Sequence, residues 1–142
     1  MGFRSKEQII TGIRVIGLLL ILEAGFMSLS LIPALYYKQG DFFALLISAL
    51  ITLSAGLLCR IKRVEKQLSI DKRLGISIVA LIWLLIGFFG SLPYLIGGYI
   101  PNIADAVFET TSGLTTTGAT ILSDVESLPK GILFWRSLTH WI

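Results

Sequence analysis

Residues 109–121 read Glu-Thr-Thr-Ser-Gly-Leu-Thr-Thr-Thr-Gly-Ala-Thr-Ile, a cluster of glycine and threonine between two strongly apolar regions. It is the one stretch of the chain whose composition suggests chemistry. Threonine disfavours a long helix here, and the glycines allow backbone conformations that other residues avoid. The fold therefore depends on whether the flanking apolar regions lie in water or in lipid.

Composition indicates that those regions lie in lipid. The 142 residues are 54% hydrophobic and only 15% charged, and the apolar residues occur in blocks rather than as an amphipathic stripe. The net charge is +3, but the basic residues cluster at the ends of apolar blocks. That distribution argues against nucleic-acid binding and favours an integral membrane protein.

The first two apolar blocks predict a helical hairpin. Residues 15–37 form an apolar run that contains one acid, Glu23, and the run exceeds the roughly 7–15 residues of a signal peptide. After the polar turn Lys38-Gln39-Gly40-Asp41, residues 42–59 form a second apolar run. Its length is close to the roughly 20 residues that cross a bilayer.

Basic residues predict the orientation of the hairpin. Residues 60–73 hold six of the twelve lysines and arginines, and Arg4, Lys6 and Arg14 precede the first block. Short basic segments stay on the cytoplasmic side, so both ends of the hairpin are expected inside. The alternative is a basic patch for RNA or a protein partner.

The next elements are a third crossing and a half-crossing. Residues 74–100 predict a transmembrane helix whose glycines would allow close packing. Residues 103–112 then show one apolar face over a length too short to span, with Asn102 as the N-cap. Gly113 is expected to end this helix in the left-handed region, before an extended segment 114–119.

A last helix is predicted from Pro129 to Ile142. Arg136 and His140 interrupt its apolar run, which is too short to cross a bilayer of roughly 30 Å. We therefore expect the chain to end inside a transmembrane helix.

The Gly and Thr cluster predicts a cation site. Non-helical backbone at membrane depth is tolerated where protein buries it or where it lines a water-filled cavity. Its carbonyls and threonine hydroxyls are hard oxygen ligands that replace the hydration shell of an alkali cation. The preceding short helix would direct its partly negative end toward the same ion.

Three segments carry a resemblance to a known family: Asp105-Ala-Val-Phe-Glu109, Ser112-Gly-Leu-Thr-Thr-Thr-Gly-Ala-Thr120, and Ser127-Leu-Pro-Lys-Gly-Ile-Leu-Phe-Trp-Arg136. They resemble the first pore helix, the first selectivity filter and the following helix of the Trk/Ktr potassium uptake family, in its TrkH/TrkG-type membrane subunits. The hairpin resembles the extra helix pair that precedes the pore repeats of these subunits.

The resemblance implies a fold and a function. The family has four helix, pore-helix, helix repeats around one pore, each supplying a quarter of the filter. Gly118 would be the filter glycine, and the carbonyls of Thr116 and Thr117 would face K⁺, with no other cofactor. The family also implies a homodimer, a cytoplasmic nucleotide-binding regulatory subunit of the TrkA type, and the bacterial plasma membrane.

The expected fold class is all-α integral membrane. Residues 1–73 would form the hairpin and its basic loop, and residues 74–142 one pore repeat that is truncated in its last helix. Three quarters of the filter would be missing, so the chain alone should not conduct. It would be the N-terminal part of a longer protein, or a short product that assembles as four copies.

Several alternatives stay open at this stage. The chain could be an accessory membrane protein whose cluster is only a connector. A phosphate-binding loop is disfavoured, because Ala119 replaces the required lysine. Asp105 and Glu109 could attract cations at the outer mouth or cap the pore helix, and Glu23 could mark an ion path or face a polar partner.

Two further residues are interpreted as packing residues. His140 lacks the neighbouring ligands of a metal site, and Cys59 is the one cysteine, which excludes an intrachain disulfide. No Ser, His and Asp arrangement supports hydrolysis, and the chain is not expected to be an enzyme.

Overall fold

A computed structural model describes residues 2–61 and 72–141. Within these ranges the chain is all helical, as predicted, with five helices: α1 (Gly2–Tyr37), α2 (Phe42–Arg60), α3 (Lys72–Ile96), α4 (Ile103–Leu114) and α5 (Lys130–Thr139). Three of them are long and apolar enough to cross a membrane: Glu7–Tyr37 within α1, then α2 and α3. Most of the predicted basic loop, residues 62–71, lies outside the described residues.

The hairpin of α1 and α2 is held by a close backbone contact. A Cβ atom on Gly17 would lie 2.7 Å from the carbonyl oxygen of Gly56, and one on Gly56 would lie 2.9 Å from that of Gly17. Small residues of this kind let helices approach each other in lipid. The helix α1 begins well before the apolar run at Val15, because lysine, arginine and glutamate are good helix formers.

The predicted end of the third helix at Ile100 is wrong. Helix α3 ends at Ile96, and Gly98 has a φ of 70°. The N–H groups of Tyr99 and Ile100 both donate to the carbonyl of Tyr94, at 3.0 and 3.3 Å. A glycine in the left-handed region thus turns the chain and satisfies carbonyls at the end of the helix.

The core contains buried residues from all five helices. Trp135 of α5 is fully buried, and its indole N–H donates to the carbonyl of Gly90 at 3.0 Å. A Cβ on Gly90 would lie 2.7 Å from Glu23 Oε1 and 2.7 Å from Thr110 Cγ2. Gly90 therefore lets three helices converge, as the small residues of this run predicted.

Glu23 is buried in this core. It is 3% exposed, and neither carboxylate oxygen has a hydrogen-bond partner among the residues that the structure describes. Its carboxyl group faces Gly90 of α3 at the contact with the short helix α4. The side chain therefore faces the protein interior rather than lipid.

The turn between α1 and α2 contacts the start of α5. Gln39 Oε1 accepts a hydrogen bond from the Lys130 N–H at 2.7 Å, and Asp41 Oδ2 accepts one from the Gly131 N–H at 2.7 Å. This turn and the beginning of α5 therefore lie at the same end of the bundle.

Candidate functional site

Helix α4 begins where the sequence predicted. The side chain of Asn102 accepts a hydrogen bond from the Ala104 N–H at 2.9 Å, which confirms it as the N-cap. The 12 residues of α4 span roughly 18 Å. A hydrocarbon core is about 30 Å thick, so the helix has the length of a partial crossing.

The predicted role of Gly113 as a left-handed cap is wrong. The helix continues through Gly113 to Leu114, and Thr115 follows as the C-cap. A Cβ on Gly113 would collide with Oγ1 of Thr139 in α5. The glycine is required by close packing of two helices, and the left-handed conformation occurs later in the chain.

The residues after α4 form a compact loop, which we call the Thr loop (residues 115–121). Thr116 has a φ of 55° and Gly118 a φ of 72°. The N–H groups of Thr117 and Gly118 both donate to the Ser112 carbonyl, at 3.0 and 3.3 Å. The segment predicted to be extended over 114–119 is therefore folded back onto the end of α4, which corrects that expectation.

Ser112 fixes the far side of the loop as well. Its hydroxyl donates to the carbonyl of Ala119 at 2.6 Å, so a single residue of α4 holds the loop through both backbone and side chain. Thr115 adds a contact within the loop, because its hydroxyl lies 2.9 Å from that of Thr117.

The three predicted cation ligands lie next to one another on the exposed side of this loop. Thr116, Thr117 and Gly118 are all exposed. Within residues 2–61 and 72–141, their carbonyl oxygens accept no hydrogen bond, whereas all three of their N–H groups donate to carbonyls of α4. A Cβ on Gly118 would meet nothing within 4 Å. The loop therefore offers unpaired backbone oxygens to its surroundings.

An ion pair with a buried carboxylate and a partly buried arginine supports the loop from behind. Glu109 of α4 is 2% exposed, and its Oε1 lies 2.7 Å from Arg136 Nε of α5. The Thr120 hydroxyl lies 3.0 and 2.9 Å from the two carboxylate oxygens, and the Ile121 N–H donates to Oε2 at 3.2 Å. The carboxylate thus accepts from α5 and from the end of the Thr loop.

This network changes the interpretation of the two acidic residues. Glu109 does not face an outer opening, because its charge is enclosed and balanced by Arg136. Asp105 lies one turn earlier, half-buried in the first turn of α4. Sequence reasoning missed the Glu109 and Arg136 pair, although an acid and a base within apolar helices are a signal for such a partnership.

The remaining candidates form no further site in the described part of the chain. No group of three or more His, Cys, Asp or Glu side chains could hold a metal ion there. His140 Nδ1 lies 2.9 Å from the carbonyl of Arg136, one turn earlier in sequence. Cys59 is half-buried and free.

Comparison with known proteins gives a consistent result. The TrkH family model, described as cation transport protein, matches residues 42–142. The potassium uptake protein TrkH of Vibrio parahaemolyticus is 39% identical over 99% of this chain, and that of Escherichia coli K12 is 38% identical over 90%. An uncharacterized cation transporter of Methanocaldococcus jannaschii is 33% identical over 97%.

A solved structure agrees with the sequence matches. The crystal structure of the potassium transporter TrkH from Vibrio parahaemolyticus superposes with a TM-score of 0.80 at 39% identity, over 99% of this chain and 29% of that one. The chain spans 28% of the length of its Vibrio relative, 27% of the Escherichia coli one and 29% of the Methanocaldococcus one. Together with three helices suited to cross a membrane, the match over residues 42–142 places this chain in the TrkH family of cation transport proteins.

Proposed function

We propose that this chain supplies one quarter of the selectivity filter of a channel-like potassium uptake protein. The observation that carries the proposal is the exposed row of unpaired carbonyl oxygens at Thr116, Thr117 and Gly118. Carbonyl oxygens can replace the hydration shell of K⁺ when several of them surround the ion. The ion is the transported substrate, and no other cofactor is proposed.

The geometry behind the loop supports this role. Helix α4 ends at Leu114, directly before the Thr loop. The carbonyl end of a helix carries a partial negative charge of about half an elementary charge, which favours a nearby cation. The N–H groups of Thr117 and Gly118 are bound to Ser112, so they do not compete for the space in front of the carbonyls.

The other parts of the proposed pathway come from outside this chain. The resemblance supports three further pore repeats in the same polypeptide, so that four loops of this kind surround one ion path. Asp105, half-buried in the first turn of α4, is the remaining candidate for attracting cations toward the outer mouth. Residues 74–142 would then be the first of the four repeats, following the hairpin unit of residues 1–73.

Location and assembly are proposed on the same basis. We place the protein in the bacterial plasma membrane with a cytoplasmic N-terminus, as a homodimer that binds a nucleotide-binding regulatory subunit of the TrkA type. The mass of the detergent-purified full-length protein, with and without a co-expressed regulator, tests both associations. A monomeric mass together with no regulator bound would contradict them.

The filter assignment is tested with Gly118→Asp in the full-length protein. Its φ of 72° disfavours a side chain, and aspartate would bring a carboxylate beside the carbonyls. We expect potassium-limited growth of uptake-deficient cells to be lost at normal membrane abundance. Gly98→Asp is the matched control, because Gly98 has a φ of 70° and equally open surroundings but lies outside the Thr loop.

The outcomes separate the proposal from its main alternative. Loss of uptake in Gly118→Asp but not in Gly98→Asp supports the filter assignment. Normal uptake in both variants would favour the accessory membrane protein whose loop is only a connector. Equal loss in both would reflect backbone strain and would remove the support for a filter.

A further inference from the structure

The start of α5 is capped by a segment about ninety residues away in sequence. The first N–H groups of any helix lack partners within the helix and need acceptors from elsewhere. Pro129, the N-cap of α5, provides no side-chain hydrogen bond. Gln39 and Asp41, in the turn between α1 and α2, accept from the Lys130 and Gly131 N–H groups instead, both at 2.7 Å.

Asp41 is built into this contact. It is fully buried, and a Cβ on Gly131 would collide with its Oδ2 and would lie 2.7 Å from Ala34 Cβ. Gly131 is therefore the residue that lets the hairpin approach α5. A buried carboxylate at the N-terminus of a helix also interacts favourably with the partial positive charge there.

The charge of Asp41 also acts on the turn after α3. Partial burial and the Asp41 carboxylate raise the pKa of the Tyr99 phenol above its ordinary value of 10.0. Tyr99 thus stays neutral near pH 7. Asp41 therefore joins its own hairpin turn to the first turn of α5, and its charge also acts on Tyr99 in the turn after α3.

One rigid helix connects this contact to the Thr loop. Arg136 lies five residues after Gly131 in α5 and binds Glu109 at 2.7 Å. Glu109 in turn accepts from Thr120 and from the Ile121 N–H at the end of the loop. A shift of α5 along its axis would move Arg136 and would pull on the carboxylate that holds the loop.

We infer that the turn between α1 and α2 is a positioning element for the Thr loop, with Asp41 as its central residue and Gln39 as its second acceptor. The inference rests on the proposed function, because it gives the N-terminal hairpin a role in the geometry of the filter. Asp41 touches no ion in this arrangement. It fixes the depth of α5, and α5 fixes the loop through Arg136 and Glu109.

The test is the ratio of Rb⁺ to K⁺ uptake by the full-length protein in uptake-deficient cells, normalised to membrane abundance. A purely structural role would lower both fluxes together and leave the ratio unchanged. For Asp41→Ala we expect the ratio to change by roughly 2- to 30-fold, the range over which substitutions in packed networks alter coupling between separated sites. Asp41→Asn, which keeps an acceptor oxygen, should restore a ratio close to that of the unmodified protein.

Two more variants keep the test decisive if Asp41→Ala does not reach the membrane. Gln39→Ala removes the exposed acceptor of the Lys130 N–H and should change the ratio in the same direction by a smaller factor. Lys38→Asn is the matched control in the same turn, because its side chain is exposed and asparagine tolerates its φ of 49°. An unchanged ratio in Gln39→Ala and in any Asp41→Ala protein that reaches the membrane would overturn the inference.

A double variant shows whether the effect travels through the ion pair. If the two sites act independently, the fold-change in the Rb⁺ to K⁺ ratio of the double variant Asp41→Ala, Glu109→Gln should equal the product of the two single fold-changes within roughly twofold. A smaller fold-change in the double variant supports coupling through α5 and the ion pair. A fold-change equal to the product overturns that coupling. Gly118→Asp separates the two possible failures. If it leaves residual transport with the ratio unchanged, the filter assignment and this inference both fail. If it changes the ratio or abolishes uptake while the Asp41 and Gln39 variants leave the ratio unchanged, only this inference fails.

Discussion

At the scale of single residues, Glu109 is the most connected side chain near the Thr loop. One carboxylate accepts from Arg136, from the Thr120 hydroxyl and from the Ile121 N–H. The Arg136 side chain is only 18% exposed, and its guanidinium would lose a fully buried counter-charge if the carboxylate were removed. Donors left unpaired in a protein interior cost more than the net gain of an ordinary hydrogen bond.

Glu109→Ala should therefore destabilise the full-length protein strongly. Removing one partner of a buried ion pair typically costs about 3–5 kcal/mol, because the other charge remains uncompensated. Thr120→Val, which removes a single hydroxyl donor, should cost only about 0.5–1.5 kcal/mol. Thermal denaturation of the detergent-purified protein measures both, and equal midpoints for the two variants would contradict the central role of Glu109.

The residues of the site could be predicted only in part from the sequence. Thr116, Thr117 and Gly118 were identified from composition and resemblance, and the structure brings them together on one exposed loop. Their role as ion ligands remains a prediction. The ion pair that holds the loop joins residues 27 positions apart on different helices, and no local pattern specifies such a contact.

At the scale of elements, the glycine between α4 and the Thr loop has a role that the sequence did not show. Gly113 was expected to end the helix, because glycine is common in the left-handed region after a C-terminus. In the structure Gly113 lies inside α4, where Thr139 of α5 leaves no room for a side chain. Helix packing determined this residue, and helix packing cannot be seen in one short stretch of sequence.

Gly113→Ala tests whether helix propensity or close packing against Thr139 has the larger effect on stability. Alanine is a better helix former than glycine by about 1 kcal/mol. Overpacking typically costs 1–3 kcal/mol, and the added Cβ would lie 3.0 Å from Thr139 Cβ as well as against its hydroxyl. We therefore expect a lower denaturation midpoint for the full-length variant, with partial recovery when Thr139→Ala is added.

Gly25→Ala is the control for this prediction. Gly25 lies within α1, and nothing lies within 4 Å of a Cβ placed there. Only helix propensity should act, so the midpoint should rise or stay unchanged. A rise in both variants would show that α5 yields to the new side chain and that the contact with Thr139 is loose.

The elements themselves were largely predictable. Apolar run length gave the hairpin and the third crossing, and Asn102 marked the start of α4 correctly. The errors occurred at ends: α1 begins before its apolar run, α3 ends at Ile96, and α5 ends at Thr139, whereas it was predicted to continue to Ile142. Hydropathy reports which residues lipid accepts, whereas helix ends depend on propensity and on turns such as the one at Gly98.

At the scale of the whole molecule, three segments predicted to lie on the outer side meet at one end of the bundle. The turn at residues 38–41 binds the start of α5, and the Asp41 carboxylate contributes to the raised pKa of Tyr99 in the turn after α3. With the proposed cytoplasmic N-terminus, a count of crossings would put each of these segments on the outer side. Helix α4 begins shortly after the turn that contains Tyr99, so it would enter the membrane from the outer face.

This orientation predicts the behaviour of reporter fusions. Alkaline phosphatase folds only outside the cytoplasm, so a fusion after Lys66 should be inactive and one after Glu126 active. The physical cause is the excess of lysine and arginine in residues 60–73, since short basic segments are retained on the cytoplasmic side. Replacing the six basic residues of that segment with glutamine should weaken the bias and raise the activity of the Lys66 fusion. High activity at Lys66 with low activity at Glu126 in the unmodified sequence would reverse the orientation and place the Thr loop near the cytoplasmic face, where it could not serve as the outer filter of an uptake pathway.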